Sequence, residues 1–205
     1  MDTSPSSSFR FQRLAGACGI ATPVISLTLT FAAVIVTPWF SWQQNALSDM
    51  GVSTTPNPFN FGLVLGGLLN LVFTIGLLRQ MDRSWLARLG GLALSIGAIA
   101  LPLIGLITED KQPWHRNIAA SYFVFTPLAY LFIGTWSFRR GRKTDGSLTL
   151  AAGVVALLVI FLRDALTHQA GIAVPEILAA LIMGSWTFSM GIRLLFQPGP
   201  AKGTA

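Results

Sequence analysis

Six apolar stretches divide the chain, at about 14–37, 60–79, 86–107, 117–138, 147–167 and 174–196. About 20 mainly apolar residues let a helix cross the hydrocarbon of a bilayer, so each stretch predicts one spanning helix. The polar segments between them are too short for another domain. The longest, Pro38 to Phe59, holds Pro38, Pro56, Pro58 and Gly51, which favour turns. The pattern predicts an all-α integral membrane bundle of six transmembrane helices over 14–196, with a tail at 1–13 and a disordered tail at 197–205. The first stretch follows Arg10 and Arg13 as a signal peptide would, but no small-residue cleavage site follows it, so it is expected to stay as a helix.

Composition agrees. Hydrophobic residues make up 52% and charged residues 11%, against about a quarter charged in an average soluble domain, so too few polar groups exist to cover a globule in water. The net charge of +6 does not point to nucleic acid, because the basic residues fall in short clusters between apolar spans. They read instead as topology signals. Eleven of the 14 (Arg10, Arg13, Arg79, Arg83, Arg88, Arg139, Arg140, Arg142, Lys143, Arg193 and Lys202) lie on one side, and only Lys111, Arg116 and Arg163 on the other. The basic side marks the cytoplasm, which places both termini there. Trp39, Trp42 and Trp114 then fall at the outer interface and Trp85 and Trp136 at the inner one, as an aromatic belt does. The single Cys18 excludes an intrachain disulfide and reads as a packing residue.

Inside the spans, Gly62 and Gly66 form a Gly-x-x-x-Gly pair, and Ala180, Gly184, Ser185 and Ser189 repeat the small spacing on the last helix, both allowing close helix approach. Asn70 is the most polar mid-span side chain, expected to hydrogen-bond across helices or to meet a ligand. Pro23, Pro102 and Pro127 lie within spans, where proline can kink a helix without chemistry.

The acids divide the other way from the bases. Asp49, Glu109, Asp110, Asp164 and Glu176 fall outside, as do both histidines, His115 and His168. Three external loops contribute them, and a compact bundle would bring those loops together into the one polar site the pattern offers. Asp164 and His168 are four residues apart, on one face of the fifth helix. The catalytic candidates are therefore Asp49, His115, Asp164 and His168. His115, Asp164 and His168 are also candidates for a divalent metal such as zinc, since catalytic zinc takes three His, Asp or Glu ligands with one open position. Ser48 and Asp49 sit in Leu47-Ser48-Asp49-Met50-Gly51, read either as a turn with Gly51 at positive φ or as a site with Ser48 as nucleophile or headgroup contact and Asp49 as base. Ser48, Asp49, Glu109, Asp110, Arg116 and Arg163 make up the candidate ligand-binding set.

Leu47-Ser48-Asp49-Met50-Gly51, followed by Asn57-Pro58-Phe59-Asn60-Phe61-Gly62 and by Thr108-Glu109-Asp110 ahead of His115, resembles domain of unknown function 998. This is a family of prokaryotic six-helix membrane proteins, and the resemblance covers nearly the whole chain. That family looks distantly similar to the FRAG/DRAM/SFK-like membrane proteins, some linked to lipid remodelling; Ser48, Asp49 and Gly51 match their motif, whereas Met50 stands where the eukaryotic branch has Thr. The resemblance implies six helices, a multi-pass place in a prokaryotic cytoplasmic membrane and an external site around Asp49 and His115. Three functions compete: lipid-headgroup binding or lipid remodelling, with membrane lipids as partners; a small-solute facilitator; and a non-catalytic scaffold. Coupled transport is disfavoured, because no ionisable residue lies at mid-span.

Overall fold

A computed structural model describes residues 7–52, 58–162 and 171–197. Six helices cross it: α1 (Ser7–Val36), α2 (Pro58–Leu78), α3 (Trp85–Leu106), α4 (Trp114–Arg139), α5 (Lys143–Phe161) and α6 (Ala173–Phe196), with a 3-10 segment at Leu47–Val52. All six are long and apolar enough to span a bilayer, so the chain is an all-helical multi-pass membrane protein. α1 starts at Ser7, inside the stretch read from the sequence as a tail, and α5 starts four residues before its apolar run, at Lys143. These turns are amphiphilic, so hydropathy alone underestimates them. The expected end of the fifth span, at 163–167, lies outside the described residues.

The helices form a ring. Each packs on its neighbour in sequence and α6 closes on α1, the α5–α6 seam being the loosest among the described residues. Apolar area does little to join helices that lipid would solvate equally well, so close backbone contact does the joining. A Cβ on Gly16 would lie 2.5 Å from Leu195 N, and one on Gly191 2.7 Å from Ile20 N, so α1 and α6 touch backbone to backbone. On α2, a Cβ at Gly62 would stand 2.7 Å from Leu29 Cβ and one at Gly66 would overlap Ser26 Oγ, which makes the expected Gly-x-x-x-Gly pair the α1–α2 seam. The expected stripe on α6 is split: Gly184 faces Pro23 of α1, whereas Ser185 and Ser189 are exposed.

The ring has two unlike ends. At the basic end Asp82 pairs with Arg140 and accepts from Trp136 Nε1 at 3.1 Å, and the Arg142 guanidinium sits over the Trp136 ring, 4.6 Å from its centroid. Trp136 is therefore a buried structural residue and not part of an interfacial belt. Asp145 pairs with Arg193 across the α5–α6 seam, and Gln12 Nε2 donates to Leu194 O at 3.1 Å. At the opposite, acidic end the first connection is docked on the start of α6: Gly171 N donates to Gln43 O, and Ile172 N and Ala173 N donate to Asn45 O. Leu47, Met50 and Phe59 pack there with Ala33, Ala173 and Ile177 as a second small core.

Gly66→Leu should lower the stability of the detergent-solubilised protein by about 1–3 kcal/mol through overpacking of the α1–α2 seam. Leu68→Ala, at a side chain that is 53% exposed to the lipid side, should cost far less. Thermal unfolding midpoints check this, and equal losses would remove the seam from the account.

Candidate functional site

The ring is not filled to its axis. A cavity of about 90 Å3 runs down it, lined by α1, α2, α3, α4, α6 and the 3-10 segment. On α4 the lining residues His115, Ala119, Tyr122, Thr126 and Tyr130 recur every three or four positions, so they form one stripe from the acidic end to mid-span. Glu176, Ala180, Gly184 and Thr187 do the same on α6. The bottom of this shaft is aromatic: Tyr130 stacks on Trp186 with centroids 4.0 Å apart, and Phe73 meets Trp186 edge-on at 6.3 Å. Tyr130 Oη donates to Met183 O at 3.2 Å and Trp186 Nε1 to Thr149 Oγ1 at 3.1 Å, so α4, α5 and α6 are tied together at the floor.

At the top the shaft meets a groove of about 560 Å3 between α4 and α6, and Ser48, His115, Ala119, Phe123 and Glu176 line both. Glu109, Gln112 and Arg116 edge the groove at the bundle end; Ala120, Val124, Ile160 and Pro175 line it toward mid-span. His115 is the pivot of this mouth. It is 4% exposed, with Nδ1 at 2.5 Å from Ile107 O and Nε2 at 2.9 Å from Glu109 Oε2. Both ring nitrogens thus face oxygen atoms of the α3–α4 connection, which fixes the ring between α3 and α4. Glu109 is held in turn by Gln112 Nε2 at 2.7 Å.

This geometry bears on two chemical readings. A serine nucleophile needs an imidazole nitrogen facing its hydroxyl, and a zinc ligand needs a nitrogen lone pair. His115 offers neither while it holds the α3–α4 connection through Ile107 and Glu109. Among the described residues no three His, Cys, Asp or Glu side chains gather as a metal set. Arg163, Asp164 and His168 lie outside the described residues.

The roles within Leu47-Ser48-Asp49-Met50-Gly51 divide. Asp49 is the turn residue: its Oδ2 accepts from Ala46 N at 3.0 Å and Asn45 Nδ2 at 2.9 Å, and it lines neither the shaft nor the groove. Ser48 is buried and lines both. Gly51 does not take positive φ, which among the described glycines belongs to Gly141; it is small because Asn60 packs against it and donates to its carbonyl at 2.7 Å. Asp110 stays in the α3–α4 connection, its carboxyl held below the ordinary value by the Thr108 hydroxyl, with the charges of Lys111 and His115 adding to the effect. What Asp110 contributes to stability is therefore complete above its ordinary 3.8 and lost as pH falls below it. Arg116 edges the groove with no ion-pair partner among the described residues. Sequence reasoning placed Glu176 only as one outer acid; its Oε2 in fact accepts from Leu47 N at 2.8 Å and joins α6 to the 3-10 segment. Asn70 is 8% exposed and turned into the shaft, with no side-chain hydrogen bond to another described residue, contrary to the expected interhelical bond.

Compared with known proteins, the chain matches the family described as Protein of unknown function (DUF998) over residues 20–193, from within α1 to within α6. No curated protein and no solved structure matches it.

His115→Ala and Glu109→Gln should each destabilise the protein, and together by about 0.5–3 kcal/mol less than the sum, because each removes the other's partner. Asp49→Asn combined with His115→Ala should be additive, since their partners are separate. A thermal-unfolding cycle in detergent reads both; additivity in the first pair, or coupling in the second, contradicts the geometry.

Proposed function

We propose that this chain, which belongs to the DUF998 family, binds an amphiphilic membrane lipid in the groove between α4 and α6, at an acidic end that faces away from the cytoplasm. The observation that carries the reading is the groove's own polarity. Its bundle-end rim offers Arg116, Glu109 and Gln112, and its wall toward mid-span offers Ala120, Phe123, Val124 and Ile160. A headgroup and the first part of an acyl chain have that sequence of polarities at that depth. Arg116 presents a planar guanidinium suited to phosphate or carboxylate. The orientation rests on eleven of 14 basic residues belonging to the other end.

The competing readings have less support. A facilitator needs a path through the ring, and the shaft stops at Tyr130, Trp186 and Phe73. A scaffold working through the Gly62/Gly66 face would need that face free, and it is spent on α1. A remodelling reaction at the same groove would need His115 released from Ile107 and Glu109 before it could act as a base.

Mass spectrometry of lipid extracted from the purified protein tests the binding. Wild type should retain lipid, Ala120→Trp should lose it by filling the apolar wall, and Arg116→Ala should retain less of the anionic classes. Retention equal in wild type and Ala120→Trp would sink the proposal. For the orientation, a reporter fused after Lys143 should be cytoplasmic and one inserted near Thr54 external; the reverse labelling would move the groove to the inner leaflet.

A further inference from the structure

We infer that the basic end of the ring holds a second binding site, a recess that takes the phosphate of an anionic amphiphile. Arg142 carries this. Its guanidinium lies over the Trp136 ring and has no acidic partner among the described residues, whereas Arg140 is paired with Asp82 and Arg193 with Asp145. The indole beneath it is itself fixed, since Trp136 is buried and its Nε1 donates to Asp82 Oδ2 at 3.1 Å. An arginine that served only to mark the basic side would need no such seat. Stacked in this way, Arg142 keeps a planar donor fork in place with its charge unspent.

Arg142, Trp136 and Gln80 line two recesses at once, one of about 540 Å3 between α2, α4, α5 and α6, and one of about 330 Å3 that also takes in Asp82 and Arg140. With Arg140, Arg142 and Arg193 set against Asp82 and Asp145, the walls of the two carry one uncompensated positive charge, which selects an anion. The larger recess turns apolar with depth. Leu77 lies below Gln80 on α2, Ile133 below Trp136 and Ser137 on α4, and Met190 below Arg193 on α6, each three or four residues away and so on the same helix face. A phosphate at the rim with apolar groups beneath it is the polarity of a phospholipid at that depth. Toward the bilayer, the recess shares Asp145, Thr149, Met190 and Arg193 with a crevice of about 490 Å3 on the α5–α6 seam, the loosest among the described residues. Leu148, Leu181, Ser185 and Ser189 of that crevice are exposed, so an acyl chain has a lateral way in. The site stands apart from the α4–α6 groove, which lies at the other end and uses Arg116.

The test is a titration of the purified protein in uncharged detergent, at fixed ionic strength, with dioleoylphosphatidic acid, with glycerol 3-phosphate and with dioleoylglycerol as the phosphate-free control, reading the thermal unfolding midpoint. Wild type is compared with Arg142→Gln, Arg142→Lys and Arg139→Gln, since Arg139 is exposed at the same end and lines neither recess. The expected result is a saturable rise with phosphatidic acid in wild type and Arg139→Gln, with an apparent affinity at least about tenfold weaker in Arg142→Gln, as losing a charge-assisted hydrogen bond implies. Arg142→Lys keeps the charge but not the planar fork, so it should also bind more weakly and carries the comparison if Arg142→Gln fails to fold. Saturation by phosphatidic acid alone assigns a lipid headgroup; saturation by glycerol 3-phosphate as well assigns a recess open to soluble esters too. No saturable response to phosphatidic acid, an equal response to dioleoylglycerol, or equal losses in Arg139→Gln and Arg142→Gln would overturn the site. So would a phosphatidic acid response that neither Arg142 variant weakens, which would belong to the groove at the other end.

Discussion

Hydrophobic burial does little to pull one helix toward another inside a bilayer, so a ring of six helices holds where backbones can touch and where polar groups find each other. α1 and α6 meet at Gly16 and Gly191, and α1 and α2 at Gly62 and Gly66. The closing seam matters most, because α1 and α6 are far apart in sequence and each supplies one wall of the shaft. Were a side chain to wedge that seam open, the stripe on α6 would turn away from the stripe on α4. The shaft and its mouth would then be lost without any change to a lining residue.

The two ends use charge differently. At the basic end acids are consumed in ion pairs, Asp82 with Arg140 and Asp145 with Arg193, and the aromatic Trp136 is drawn inward as part of the first. At the acidic end the carboxylates instead hold backbone and imidazole: Glu176 accepts from Leu47 N, Asp49 from Ala46 N, and Glu109 from His115. These bonds fix the connections over the shaft and leave Arg116 on the groove rim. A fixed mouth above a polar-lined dead end is the geometry of a binding protein more than of a conduit.

Much of the site was visible as residue types and little of it as arrangement. His115 stood out because histidine is rare in this chain, and it does stand at the mouth. Ser48 and Asp49 are neighbours, and their roles depend on which way one 3-10 turn faces. Thr126 and Tyr130 gave no signal, since hydroxyls within a span usually bond back to their own helix, as Thr187 does to Met183 O. Only the packing of Gly97 against Thr126 and of Trp186 against Tyr130 turns these two into cavity lining.

The sequence by itself determined the number of spans, because crossing hydrocarbon demands a run of apolar residues whose length is set by the bilayer and not by any neighbour. It determined the charge asymmetry of the two ends for the same reason, each Lys or Arg being read singly. The order of helices around the ring, the closure of α6 on α1 and the depth of the shaft were decided only by tertiary structure. They arise from contacts between residues far apart in the chain, such as Gly16 with Gly191 and Leu47 with Glu176, and a periodicity read along one helix carries no information about which other helix will meet it.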